Sequence, residues 1–176
     1  MPYLQRGTDT PFGLMPYDKI LSIGHYRKGS DSSTIFRGDI VTMASDGEID
    51  PLAAATTTPV LGVAVAHVAS TSADTAVAIY DHPDQLFTVQ DDSDTTTMTA
   101  TSIGNSVAPI GFTGNSTTLQ SNTEADSSTA DTAVRMLKVI RLHPIETGFA
   151  AAAGAQRKWV VKINPYFHYH ATANAV

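Results

Sequence analysis

The sequence predicts an all-β fold, a small antiparallel β-barrel or sandwich, and three observations lead to it. Short runs of β-branched and apolar residues recur along the chain, turn residues (Gly, Pro, Asn and Asp) separate them, and no amphipathic helical pattern exceeds two turns. The 176 residues are enough for a domain with its own hydrophobic core. Such a chain needs neither a disulfide nor a structural metal, and the sequence contains no cysteine.

Residues 1–35 are predicted to form an extended N-terminal arm. Pro and Gly recur every few residues between Pro2 and Pro16, so neither a helix nor a long strand can propagate there. The segment nevertheless carries more apolar side chains than a disordered tail does. We therefore expect it to become ordered by lying on its own domain or on another chain. The predicted contact residues of the arm are Tyr3, Leu4, Phe12, Leu14, Met15, Tyr17 and Ile20.

Residues 36–176 are predicted to form the β domain. Trp159 lies in the most strongly apolar of its strands and is expected to be a buried core anchor. Residues 91–133 are rich in Ser, Thr, Asp and Asn, and such a composition predicts a long polar insertion carried on the sheet. The predicted strands, the first of which begins at the end of the arm, are 35–43, 60–68, 75–80, 85–90, 134–142 and 158–164.

Composition excludes several classes of partner. The net charge is −6 with only 11 basic residues, whereas nucleic-acid binding needs clustered Lys and Arg. No window approaches 18 consecutive apolar residues, so we expect no membrane span, and the N-terminal residues contain no export signal. Without cysteine, thiolate zinc sites, Fe–S clusters and thiol catalysis are excluded.

Motifs for catalysis or metal binding are missing from the sequence. His168 and His170 have a spacing that places both imidazoles on one face of an extended chain, but no third ligand is near in sequence. The acidic run at 91–94 lacks the Gly and the distal Glu of a calcium loop. We therefore predict no enzyme activity, no metal and no cofactor. The C-terminal strip is instead predicted to make surface or subunit contacts through Tyr166, Phe167, His168 and His170.

Two groups of short motifs resemble a known family. The first consists of Phe36–Val41 (FRGDIV), the turn Asp46-Gly47, Leu61–Ala64 (LGVA) and Ala76–Tyr80 (AVAIY). This order is similar to that in small β proteins of tailed-phage heads. The second consists of an F-x-V-Q-x-D strand at 87–92, an I-G-x-N-like turn at 103–105, the run LKVI at 137–140 and a W-x-V-x-I-N close at 159–164. It resembles structural proteins encoded near major capsid genes.

The resemblance implies a capsid decoration, or cement, protein. Such a protein is a non-enzymatic, β-tulip-like module that binds the outside of an assembled head, commonly as a homotrimer. The implied partners are the major capsid protein and further copies of the chain itself. The implied location is the outer capsid surface of the virion, after synthesis in the host cytoplasm.

Two other functions stay open at the level of sequence. A carbohydrate-binding β-sandwich module of a virion or surface protein has the same strand pattern and needs no catalytic motif. A small hydrolase would need a catalytic group assembled in space, which a single sequence does not reveal.

Overall fold

The computed structural model describes residues 9–29, 33–54, 59–72, 74–92, 96–146 and 156–170. These residues are all-β, which confirms the predicted fold class. Helical structure within them is limited to two short 3₁₀ helices, Ala100–Ser102 and Ser127–Thr129. The strands, numbered in chain order, are β1 Met15–Pro16, β2 Gly24–Lys28, β3 Ile40–Met43, β4 Ile49–Pro51, β5 Val60–Ala64, β6 Thr75–Tyr80, β7 Leu86–Gln90, β8 Ser106–Val107, β9 Pro109–Ile110, β10 Gly114–Asn115, β11 Gln120–Ser121, β12 Glu124–Ala125, β13 Leu137–Leu142 and β14 Lys158–Ile163.

Five strands close a small barrel in the order β2-β4-β3-β5-β6. Its pairings are antiparallel except for the parallel contact of Lys28 with Ile49, which joins β2 to β4. Closure leaves this sheet without a free edge. The barrel encloses a core of Ile35, Val41, Ile49, Leu61, Ala64, Val77 and Ile79.

A second, antiparallel sheet has the order β1-β7-β14-β13-β8. Its core is larger than that of the barrel and includes Phe87, Val89, Trp159 and Val161. Strands β3 and β5 belong to both cores, because neighbouring residues of a strand point to opposite faces. Thus Ile40 packs against the sheet while the next residue packs inside the barrel. The barrel wall therefore joins the two halves of the domain.

Gly62 allows the close approach of β5 and β6 within the barrel. A Cβ at this position would meet the carbonyl oxygen of Tyr80 and would lie 2.9 Å from Cγ2 of Ile79. A residue with a side chain would therefore push the two strands apart.

The six predicted strands are confirmed. Strands β3, β5, β6, β7, β13 and β14 lie within the ranges that the β-branched runs predict. The structure differs at the predicted arm, since β1 pairs with β7 and β2 is a barrel strand. No Pro occurs between residues 17 and 35, and in GHYRK the exposed His25 and Arg27 alternate with residues that are half-buried or buried, as in a strand.

The predicted polar insertion is also more structured than its composition indicates. Residues 96–133 contain β8–β12 and both 3₁₀ helices. They place Met98, Val107 and Ala125 in the core of the second sheet. Side chains satisfy part of the backbone: Asp92 Oδ1 accepts hydrogen bonds from the backbone N (2.8 Å) and the Oγ (2.7 Å) of Ser127. Hydrogen bonds from short polar side chains to the backbone take the place of some inter-strand backbone hydrogen bonds in this segment.

Candidate functional site

The segment that follows β1 is fixed to the β6–β7 turn by the buried side chain of Gln85. Gln85 Nε2 donates to the carbonyl oxygen of Lys19 (3.1 Å), and its Oε1 accepts from the backbone N of Leu21 (2.9 Å). These bonds use the backbone of Lys19 and Leu21 and not their side chains. Ile20, Leu21 and Ile23 are exposed.

The C-terminal strip pairs with the beginning of β5. The backbone N of Val60 donates to the carbonyl oxygen of Phe167 (2.8 Å), and the backbone N of Tyr169 donates to the carbonyl oxygen of Val60 (2.8 Å). This pairing turns Phe167 and His168 into the protein and leaves Tyr166 and Tyr169 outside.

A hydrogen-bond network around Asp81 links these two segments. The Tyr26 hydroxyl donates to Asp81 Oδ2 (2.7 Å) and lies 3.2 Å from Nε2 of His170. Gly24 packs against the same carboxylate, since a Cβ at this position would meet Asp81 Oδ2. Gly24, which follows Ile23, and His170, which follows Tyr169, therefore both lie near Tyr26 and Asp81. We call the exposed apolar residues of both segments the contact surface: Ile20, Leu21, Ile23, Tyr166 and Tyr169, which are 36% to 71% exposed.

The network keeps fixed protonation states near neutral pH. Burial tends to raise the pKa of Asp81, but the hydrogen bond from Tyr26, with a contribution from the nearby Ser22 hydroxyl, outweighs it and holds that pKa below its ordinary value. Burial and the Asp81 carboxylate raise the pKa of Tyr26, so its hydroxyl stays protonated. Burial, together with His170, lowers the pKa of His168 to about 4, so this imidazole is neutral. The network holds the two segments together and supplies no activated nucleophile.

Tyr26→Phe is expected to destabilise the protein by about 1 kcal/mol at neutral pH, because it removes the hydroxyl that hydrogen-bonds to a partly buried carboxylate. The pKa of Asp81 should rise toward 3.8, and NMR titration measures it. Because the folded pKa of Asp81 is depressed, the ionised carboxylate stabilises the parent protein above pH 3.8, and this contribution disappears as the pH falls through the folded pKa. The difference in stability between Tyr26→Phe and the parent should therefore be largest above pH 3.8. An unchanged pKa of Asp81 would contradict this role.

The arrangement offers no metal site within the ranges that the structure describes. No group of three or more His, Asp or Glu side chains is placed there to hold a metal ion. The two imidazoles of the C-terminal strip lie with their centroids 6.0 Å apart, but His168 is buried and its Nδ1 already accepts from the backbone N of His170 (3.2 Å). Among the described helical residues, none form a segment long and apolar enough to cross a membrane.

The predicted contact residues divide into two sets. Leu14, Phe167 and His168 are buried in the chain's own domain, so they do not offer a surface to a partner. Leu14 is drawn inside because its backbone N donates to the carbonyl oxygen of Gly38 (3.0 Å) just before β1 pairs with β7. Ile20, Tyr166 and His170 are exposed. Tyr3 and Leu4 lie outside the described residues.

The remaining predicted residues have other surroundings. Phe12 and Met15 line a cleft apart from the contact surface. The Tyr17 hydroxyl accepts a hydrogen bond from Arg141 (2.5 Å), and the Arg141 guanidinium lies 5.1 Å from the Tyr17 ring centroid. Trp159 is fully buried in the second sheet.

Sequence reasoning missed Leu21, Ile23 and Tyr169 as surface residues. The alternation of Leu21 and Ile23 about Ser22 is the available signal, since an extended chain that turns Ser22 inward exposes both neighbours. Nothing in the sequence indicates that Asp81 joins the two segments, because Tyr26, Asp81 and His170 are far apart along the chain.

Comparison with models of protein families and with curated proteins gives no match for this chain. A function must therefore rest on the fold, on the contact surface and on the resemblance of the strand motifs.

Proposed function

We propose that the chain is a capsid decoration protein, which binds the outside of an assembled tailed-phage head and stabilises it. The observation that carries the proposal is the contact surface, where two segments that are linked through Tyr26, Asp81 and His170 carry five exposed apolar side chains. Clustered exposed apolar residues are typical of protein–protein contacts. The strand motifs that resemble phage head proteins name the partner, the major capsid protein.

The contact surface is ordered before it binds. Gln85 holds the backbone of residues 19–21, and Val60 holds that of residues 167–169, so little chain entropy remains to be lost on docking. Burying five half-exposed apolar side chains yields on the order of 5 kcal/mol before the cost of association. One copy would therefore attach weakly, whereas a homotrimer gains through effective concentration. The proposal accordingly includes a homotrimer on the outer surface of the virion.

The test is co-sedimentation with tailed-phage heads assembled from the major capsid protein that the proposal names as the partner. Ile20→Asp combined with Ile23→Asp places two charges on the contact surface and should weaken head binding at least tenfold, because a buried carboxylate without a partner is unfavourable. Point variants are preferred to deletion of residues 1–24, since that deletion would remove β1 and the buried Leu14.

A matched control uses Ile110→Asp with Ile145→Asp. These isoleucines are 41% and 47% exposed, as are Ile23 and Ile20 respectively, and they lie outside the contact surface. The control should bind heads like the parent chain. Equal binding by both double variants, with folding verified by circular dichroism, would contradict attachment through the contact surface. Sedimentation equilibrium of the free and head-released protein then tests the trimer.

A further inference from the structure

A cleft of about 530 Å³ lies between the segment that precedes β1 and the β10–β11 hairpin. Its volume is in the range of small-molecule sites. It shares no residue with the contact surface, because the chain leaves the cleft at Met15 and reaches the contact surface only at Ile20. Attachment through the contact surface and binding in the cleft are therefore separate properties.

The walls of the cleft are held in place by backbone contacts. A Cβ at Gly13 would lie 2.6 Å from the carbonyl oxygen of Gly38 and 2.6 Å from Cβ of Ser121, so the segment and the hairpin touch at this point. Arg37 is fixed on the hairpin, since its backbone N donates to the carbonyl oxygen of Leu119 (3.3 Å) and its carbonyl oxygen accepts from the backbone N of Ser121 (2.9 Å). The cleft is thus formed before any ligand binds.

Two polar side chains that line the cleft have no hydrogen-bond partner among the described residues. Neither the Arg37 guanidinium nor the Gln120 amide has a hydrogen-bond or ion-pair partner in the part of the chain that the structure describes. The cleft is also lined by the Asp9 carboxylate, whose Oδ1 accepts from Nε2 of Gln90 (3.3 Å) and which has no ion pair with Arg37 among the described residues. Arg37 therefore offers its guanidinium donors to a ligand, and a carboxylate matches their fork geometry.

His143 adds a neutral donor to the lining. Burial, together with Lys158 and Arg141, lowers the pKa of His143, so the ring is uncharged at neutral pH. Its Nδ1 accepts from the backbone N of Ile145 (3.2 Å), which places the ring proton on Nε2.

The rest of the lining combines apolar surface with neutral polar groups. Phe12 and Met15 are half-buried and present carbon surface. Thr88, Asn115 and Asn122 contribute hydroxyl and amide groups, which both donate and accept hydrogen bonds. Sugar rings have the same two kinds of surface, since their hydroxyls donate and accept and their C–H faces pack against aromatic rings.

We propose that this cleft binds a short saccharide that carries a carboxylate. Arg37 pairs with the carboxylate, Gln120 and the neutral polar groups bind hydroxyls, and Phe12 packs against a sugar ring. The proposal does not depend on capsid attachment. On a head-bound copy the same cleft would give the particle a weak affinity for acidic polysaccharide.

The test is binding of the full chain to a panel of acidic oligosaccharides, namely oligogalacturonates, oligomannuronates and sialyllactose, measured by NMR titration. Methyl-esterified oligogalacturonates are the matched neutral ligands, because they keep the sugar skeleton and lose the charge. We expect saturable binding of at least one acidic ligand, and binding at least tenfold weaker for Arg37→Gln. Gln120→Ala should also weaken binding.

Arg27→Gln is the matched protein control, since Arg27 is an exposed arginine whose ion pairs with Asp74 and Glu48 lie outside the cleft. It changes the net charge as Arg37→Gln does and should leave saccharide binding unchanged. Ile20→Asp with Ile23→Asp should also bind saccharide normally, which separates this proposal from capsid attachment. Three results would overturn the proposal: no binding of any acidic ligand, equal binding of the esterified ligand, or equal effects of Arg27→Gln and Arg37→Gln.

Discussion

Trp159→Ala is expected to lower the free energy of unfolding by about 3–5 kcal/mol, as other truncations of buried aromatic residues do. Trp159 is fully buried in β14, between β7 and β13, where it pairs with Val89 on one side and with Leu142 on the other. Its removal would leave a cavity at the centre of the larger core. Strands β7 and β13 lie on either side and restrict collapse into that cavity, so the loss of unfolding free energy should lie in the upper part of this range.

The indole also has a polar role. Trp159 Nε1 donates to Asp91 Oδ2 (3.1 Å), while Asp91 Oδ1 accepts from the backbone N of Arg157 (2.7 Å). Asp91 is buried, and burial raises its pKa to about 6 although both hydrogen bonds favour the carboxylate. Truncation to Ala removes a donor from this buried carboxylate in addition to removing apolar area. The pKa of Asp91 should therefore rise further in the variant.

Trp159→Phe separates the two contributions. It keeps an aromatic ring in the core and removes the indole N–H, so a smaller loss of about 1–3 kcal/mol is expected. Urea denaturation followed by circular dichroism is the measurement, because Trp159 is the single tryptophan and its fluorescence is lost in both variants. An unchanged denaturation midpoint for Trp159→Ala would show that the residue is peripheral to stability.

The strands could be predicted because their signals are local. Runs such as KWVVKIN and TAVAIY combine β-branched residues with adjacent turn residues, and both form strands at those positions. The pairing order could not be predicted, because β1, β7 and β14 come from distant parts of the chain and no short-range pattern specifies their contact. Closure of the barrel likewise depends on a single parallel contact between β2 and β4.

Two segments differ from their predictions for physical reasons. Pro and Gly before residue 17 do prevent a helix or a long strand, but the two-residue strand β1 and the buried Leu14 suffice to fix this segment on its own sheet. The Ser- and Thr-rich residues 96–133 bury few side chains, yet their hydroxyls and carboxylates replace backbone partners, as Asp126 does when it accepts from the backbone N of Ser128 (3.0 Å). The composition of the segment indicates that it buries little area, but it does not indicate these local hydrogen bonds between side chains and backbone.

The contact surface was half predictable. Ile20 and Tyr166 follow from apolar content in segments without regular structure, and both are exposed. The inward rotation of Phe167 and His168 depends on pairing with Val60, which lies more than a hundred residues earlier in the chain. The cleft that contains Arg37 could not be predicted from the sequence, because its lining residues come from five separate segments of the chain.

Glu124→Gln is expected to stabilise the protein above neutral pH. Burial, with the nearby carboxylates of Asp9, Asp92 and Asp91, raises the pKa of Glu124 to about 7, although Gln90 Nε2 donates to its Oε1 (2.8 Å). The unfolded chain holds this carboxyl near 4.5. Between pH 4.5 and 7 the folded state therefore binds the proton more strongly, and its stability falls as the pH rises through that window.

Glutamine removes the ionisation and keeps the oxygen that accepts from Gln90. Solvent screening at this half-buried position reduces the gain that the pKa shift alone would give, so we expect about 1–2 kcal/mol at pH 8. Below pH 4.5 the two proteins should be equally stable. Urea denaturation at a series of pH values measures the difference.

The difference in unfolding free energy between Glu124→Gln and the parent protein reports on Glu124 and not on the other titrating groups. His168 acts in the opposite direction, because its folded pKa of about 4 lies below the ordinary 6.5 and its contribution to stability is lost as the pH falls between these values. That contribution is present in both proteins and cancels. Glu48→Gln removes an equal charge from a carboxylate paired with Arg27 (3.1 Å) and should give no gain at pH 8. A gain of the same size in both variants would mean that net charge, rather than the buried carboxyl of Glu124, limits stability at high pH.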